Sequence, residues 1–222
     1  MPHCNLTRMC GRYALHGHPD VVALQFDLAS APEIEARYNI CPSNDILIVR
    51  QHAQRGRVCD QSRWGLVPSW AKDASIGNRL ANARGETIAD RPAFKAAFRQ
   101  WRCLVPASGF YEWKTTRSGK QPYYIRPAGD ELFGLAGITE LWRGQLRTVC
   151  LITTGANELM RGIHDRMPVI VPLQDYDAWL DPRNHAAEQF IRPYPVHLMR
   201  IHPVSKAVSD AANEGAALIA RI

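Results

Sequence analysis

The tetrapeptide Met9-Cys10-Gly11-Arg12 places a cysteine directly behind a methionine that can serve as a start. Removal of that methionine leaves Cys10 with an amine and a thiol on adjacent carbons. The free α-amine has a reference pKa of about 7.7 to 8.0 and the thiol one of about 8.5, so both are partly in their nucleophilic forms near neutrality. Such a pair captures an aldehyde twice. The amine condenses to an imine with loss of water, and the thiolate then adds to the imine carbon, closing a thiazolidine ring. Eight residues precede Met9 in this sequence, and an acylated Cys10 nitrogen cannot form the imine. The chemistry therefore requires translation from Met9, or cleavage of the chain before Cys10.

Four further segments combine polar groups with glycine, proline and aromatics, the composition of loops at a site. They are Arg37 to Pro42, Asn82 to Thr87, Gly109 to Lys114 and Ile163 to Pro168. Glu112 lies between Tyr111 and Trp113, aromatics expected to desolvate its carboxyl and raise its pKa toward a working acid/base value. His164 is suited to general acid catalysis because imidazole titrates near neutral pH. Asn82 can orient reactants by hydrogen bonding, and Arg12 and Arg84 offer planar forks for phosphate oxygens.

The elements that must position these groups read as mixed. Short β-rich runs occur at residues 46–49, 103–105, 122–125, 132–136 and 148–152, and helical spacing or helix-start residues at 19–28, 92–101, 157–163, 175–180 and 213–222. Strands and helices do not alternate strictly, and neither GxGxxG nor a P-loop is present. The order predicts an α+β fold with a mostly antiparallel sheet. With 222 residues and 46% hydrophobic content, one domain with a substantial core is expected. No apolar run approaches the roughly 18 residues of a membrane span and residues 1–8 lack a secretory leader, so a cytoplasmic protein is expected. The six cysteines form no CxxC pair, and neither a metal nor another cofactor is predicted; most should pack as small hydrophobes.

Charge is uneven. Residues 1–126 carry 18 Lys/Arg against 10 Asp/Glu, the remainder 9 against 11. A basic, aromatic half suits a polyanion, although an excess of arginine over lysine also follows from base composition of a gene.

Taken together, MCGRY, RYNICP, NARGE, GFYEWK, IHDRMP and HPVSKAV resemble, in order and across residues 9–222, the SOS-response-associated peptidase family of abasic-site processing proteins. The resemblance implies a single α+β domain around a barrel-like sheet flanked by helices, with residues 1–8 an extension absent from the mature protein. It also implies a covalent thiazolidine crosslink from Cys10 to the ring-opened aldehyde of abasic sites in single-stranded DNA, by a monomer acting in the DNA damage response. On that basis Glu112 shuttles protons during imine formation, His164 opens the sugar, Asn82 holds the reactants, and Arg12 and Arg84 grip flanking phosphates. Trp70 occupies the region where the family presents aromatics to bases. Asn39 and Pro42 shape the cysteine pocket, Cys41 between them packs, and Thr154 is a further pocket candidate. Two other classes compete: an N-terminal-nucleophile amidohydrolase, whose Met-Cys-Gly start is shared, and a non-covalent single-stranded DNA-binding module. The first gives Glu112, His164 and Arg84 no task, and the second predicts that Cys10→Ala is harmless.

Overall fold

Alternating branched and aromatic residues make strands the larger share of this molecule's regular structure. The computed structural model describes residues 11–129 and 131–222. In chain order the strands are β1 (Tyr13–Leu15), β2 (Arg37–Ile40), β3 (Asp45–His52), β4 (Gly56–Trp64), β5 (Asn82–Arg84), β6 (Arg102–Ala107) and β7 (Gly109–Thr116). They continue as β8 (Gly119–Pro127), β9 (Phe133–Trp142), β10 (Leu146–Gly155), β11 (Arg166–Pro168), β12 (Ile170–Val171) and β13 (Met199–Pro203). Four short helices join them: α1 (Pro19–Phe26), α2 (Lys95–Gln100), α3 (Glu158–Arg161) and α4 (Tyr176–Leu180).

The larger sheet closes. β10 pairs in parallel with β4 and antiparallel with β9, while β4 pairs with β3, β3 with β6 and β6 with β9, so five strands return on themselves. Closure removes the exposed edges that an open sheet would offer to other chains. β5 and β11 extend the far end of β10, the first in parallel and the second antiparallel. The α+β, mostly antiparallel, barrel-like expectation is met.

A second sheet, ordered β13-β8-β7-β1-β2, packs on the barrel. Side chains alternate across its strands. Tyr13, Phe110 and Ile125 therefore enter the main core, while Ala14, Tyr111 and Tyr124 enter a smaller cluster closed by Val204, Val208 and Leu218. Both faces are thus covered, the outer one by the C-terminal segment.

Four of the predicted strand runs lie wholly in strands and the fifth, 132–136, does so from Phe133, but the helices are shorter than the sequence suggested. α3 is a single turn capped by Asn157, and 213–222 is not a helix. Only a 3-10 turn, Ala216–Ile219, forms there. Glu214 turns its carboxylate to the backbone N–H groups of Tyr38 (2.8 Å) and Asn39 (3.2 Å), Gly215 adopts φ 110°, and Val204 bridges to Arg221. Those contacts tie the segment to the edge of β2 and leave no room for continuous helical turns.

Candidate functional site

The four polar segments expected as loops lie largely on strands β2, β5, β7 and β11. Cys10 lies outside the described residues. The chain enters β1 through Gly11 and Arg12, and the Tyr111 amide donates to the Arg12 carbonyl at 3.0 Å. The β1–β7 register, Tyr13 opposite Phe110 and Ala14 opposite Gly109, continues toward Gly11 opposite Glu112.

Glu112 is 3% exposed. Strand alternation puts it on the face of Phe110, toward the main core, while Tyr111 and Trp113 point the other way. Its flanking aromatics are therefore not what desolvates it, contrary to the sequence expectation. Tyr111 instead donates its hydroxyl to the Tyr38 carbonyl at 2.7 Å, and Trp113 its indole N–H to Ser209 Oγ at 3.0 Å.

Asn82 begins β5, half-buried, with Arg84 exposed two residues on. The start of β5 is set by Trp64, which donates to the Ala81 carbonyl at 2.9 Å and packs its ring edge against Tyr13, centroids 5.6 Å apart. One tryptophan thus links the strand that follows Cys10 to the strand that carries Asn82.

His164 precedes β11 and is partly exposed. Its backbone N–H donates to Met160 O at 2.9 Å, and its Nδ1 accepts from the Arg166 N–H at 3.0 Å. With Nδ1 accepting, the neutral ring carries its proton on Nε2. Asp165 Oδ1, also 3.0 Å from Nδ1, becomes its partner once the ring is doubly protonated.

The sequence reading missed the group that joins these strands. Arg166, buried, pairs in a fork with Glu86, Nη1 to Oε1 and Nη2 to Oε2 (2.8 Å), and its Nη2 also donates to Thr153 O (2.8 Å) and Oγ1 (3.1 Å). Hydrogen bonding from Arg166 holds the Glu86 carboxyl below the usual carboxylate range. One ion pair thereby ties the NARGE segment to the IHDRMP segment across β10. No spacing in the sequence reports it; only the opposite charges in two chemically rich segments hint at it. Thr154 is buried on the face of β10 opposite Thr153.

Arg12 lines a groove but turns its guanidinium to the C-terminal segment. It is 2% exposed and donates to Asn39 Oδ1 (2.7 Å), Val208 O (2.5 Å) and Ser209 O (3.2 Å). Asn39, also buried, spends its amide on Asp210 O (2.8 Å) and Asn213 O (2.9 Å). Both are struts between the N-terminal strands and the C-terminal segment. Beside them a groove of about 940 Å³ is lined by Asn39, Cys41, Pro42, Asp210 and Glu214 among others. Trp70 is 60% exposed, its indole N–H 3.5 Å from Pro92 O. Burial pushes the Cys103 and Cys150 thiols well up, which keeps them unreactive core residues. No helix among the described residues is long and apolar enough to cross a membrane.

Asn82 and Arg84 on β5 lie beside Leu151 and Thr153 of β10, Thr154 takes the opposite face of that strand, His164 precedes β11 on its other side, and Glu112 is on the neighbouring sheet. The model of the SOS response associated peptidase (SRAP) family matches residues 9–211, and the chain belongs to that family. It is 38% identical over 222 residues to abasic site processing protein YoaM of Bacillus subtilis (strain 168), across 95% of this chain and 97% of that protein. Abasic site processing protein YedK of Escherichia coli (strain K12) is 31% identical over 227 residues, across 95% and 99%. A solved protein from Bacteroides thetaiotaomicron shares the fold with a TM-score of 0.85 at 23% identity, covering 96% of this chain and all of that one.

Proposed function

We propose that this protein processes abasic sites, capturing them in single-stranded DNA through a matured N-terminal Cys10. The observation that carries the reading is the buried Glu112 on the core face of β7, the strand paired with β1, which begins three residues after Cys10. A carboxylate so buried has little water to compete with it as a proton acceptor.

The abasic sugar opens when doubly protonated His164 delivers its Nε2 proton to the ring oxygen as the C1′–O4′ bond breaks and the C1′ hydroxyl passes its proton to water. The Cys10 amine then adds to the C1′ aldehyde, water leaves, and the thiolate closes on the imine carbon. Glu112 accepts and returns protons through these steps. Asn82 orients the sugar, Arg84 binds a flanking phosphate, and Trp70 stacks on a neighbouring base. Pro42 and Thr154 bound the pocket. Arg12 and Asn39 act indirectly, by fixing β1 and β2. A free amine is supplied by a start at Met9 or by cleavage before Cys10.

Intact mass, measured before and after incubation with a single-stranded oligonucleotide carrying one abasic site, tests both maturation and capture. The expected product is a chain beginning at Cys10 plus the oligonucleotide less one water, absent in Cys10→Ala. A chain that keeps residues 1–8 and never shifts in mass refutes the reading and returns the protein to non-covalent binding.

A further inference from the structure

The tip of the β9–β10 hairpin grips the turn that carries Trp70. Between Trp142 and Leu146 the Gln145 amide donates to the Trp142 carbonyl at 3.1 Å, closing a β-turn whose central residues, Arg143 (φ 50°) and Gly144 (φ 70°), are both left-handed. Glycine adopts that conformation freely, and asparagine or aspartate tolerates it through a short polar side chain. Arginine has neither advantage. What holds Arg143 there comes from side-chain contacts. Its guanidinium carbon lies 4.3 Å from the Trp142 ring centroid, and its Nη2 donates to Lys72 O at 3.0 Å. Trp142 in turn donates its indole N–H to Ala71 O at 2.8 Å.

The hairpin therefore occupies two consecutive carbonyls immediately after Trp70. The Ala71 amide donates to Pro68 O at 2.9 Å, so the backbone on both sides of Trp70 is fixed while its indole stays exposed. We propose that Trp142 and Arg143 are positioning residues that hold the Trp70 indole ready to stack on an unpaired base. This rests on the stacking role given to Trp70 above. An aromatic already fixed loses less freedom when a base arrives, so the clamp strengthens binding without touching the strand.

Trp142→Phe keeps an aromatic face for Arg143 and deletes only the N–H that reaches Ala71. In the mature chain without DNA, it should raise amide exchange in residues 68–73 about fivefold, the equivalent of one net hydrogen bond, with the barrel strands unchanged. It should weaken binding of an undamaged single-stranded oligonucleotide by up to about fivefold. Trp70→Ala should weaken binding at least as much, and the double variant no further. Unchanged exchange at 68–73, or losses that add in the double variant, would overturn the clamp. If Trp70→Ala weakens binding and Trp142→Phe does not, the positioning role alone fails. If Trp142→Phe frees the turn but Trp70→Ala binds like wild type, the stacking role fails and takes the positioning role with it.

Discussion

Replacing Arg12 with methionine should weaken the fold and leave the electrostatics of DNA binding alone. Methionine fills much of the same volume and removes a buried cation, which relieves a desolvation cost. It also strips the donor from Asn39 Oδ1 and Val208 O, both buried, and from Ser209 O, which lies closer to solvent and can recruit water. Two orphaned acceptors at about 2 kcal/mol each, set against about 1 kcal/mol of relief, leave a net loss near ~3 kcal/mol. In a domain of this size that lowers Tm by roughly 6 to 12 °C. Urea denaturation of the mature protein reads the loss directly. Affinity for a single-stranded oligonucleotide, measured against salt concentration, reads the alternative, because each phosphate contact removed changes the slope by about one. A variant as stable as wild type whose slope falls by one would refute the strut and restore Arg12 to the phosphate.

Because Arg166 depresses the Glu86 carboxyl below its ordinary 4.5, the pair contributes stability that is present above that value and lost as pH falls through the lower folded one. Glu86→Gln should flatten that acid-side decline in Tm between about pH 6 and 3, by under ~1 kcal/mol since Glu86 is half-exposed. At Gly85 an added Cβ would stand 2.2 Å from Ile191 Cγ2 and 3.2 Å from Thr153 O. Gly85→Ala should therefore cost about 1–3 kcal/mol in denaturant titrations, and Ile191→Ala in the same chain should recover part of it. His164→Ala should slow crosslink formation about a hundredfold in single-turnover kinetics with DNA affinity unchanged. Glu112→Gln should slow both formation and release, since the group that helps close the ring helps open it.

The strands at 46–49 and 148–152 are legible because branched apolar residues run together there, as they must where a strand is covered on both sides. β4 is not: Gly56–Trp64 is mostly polar, and only its hydrogen bonding to β3 and β10 makes it a barrel stave. The Ala-rich stretch after Asn213 has helix propensity that Glu214 and Gly215 override through contacts with β2. The site residues announced themselves by chemical type, but their roles divide according to partners far away in sequence. Arg12 and Arg84 look alike as letters; one is buried against carbonyls of residues 208 and 209 and the other is exposed. Glu86 and Arg166 sit in segments whose composition stands out, but their pairing across 80 positions is not written in any local spacing.

The bond from Arg12 to the Val208 carbonyl spans 196 positions. Synthesis proceeds from the N-terminus, so β1 has no seat for its buried guanidinium until almost the whole chain has been made. Strand β1 is among the first parts translated and the last to be locked. A truncated product ending before residue 208 leaves β1 without that lock, and such incompletely folded chains are open to proteases.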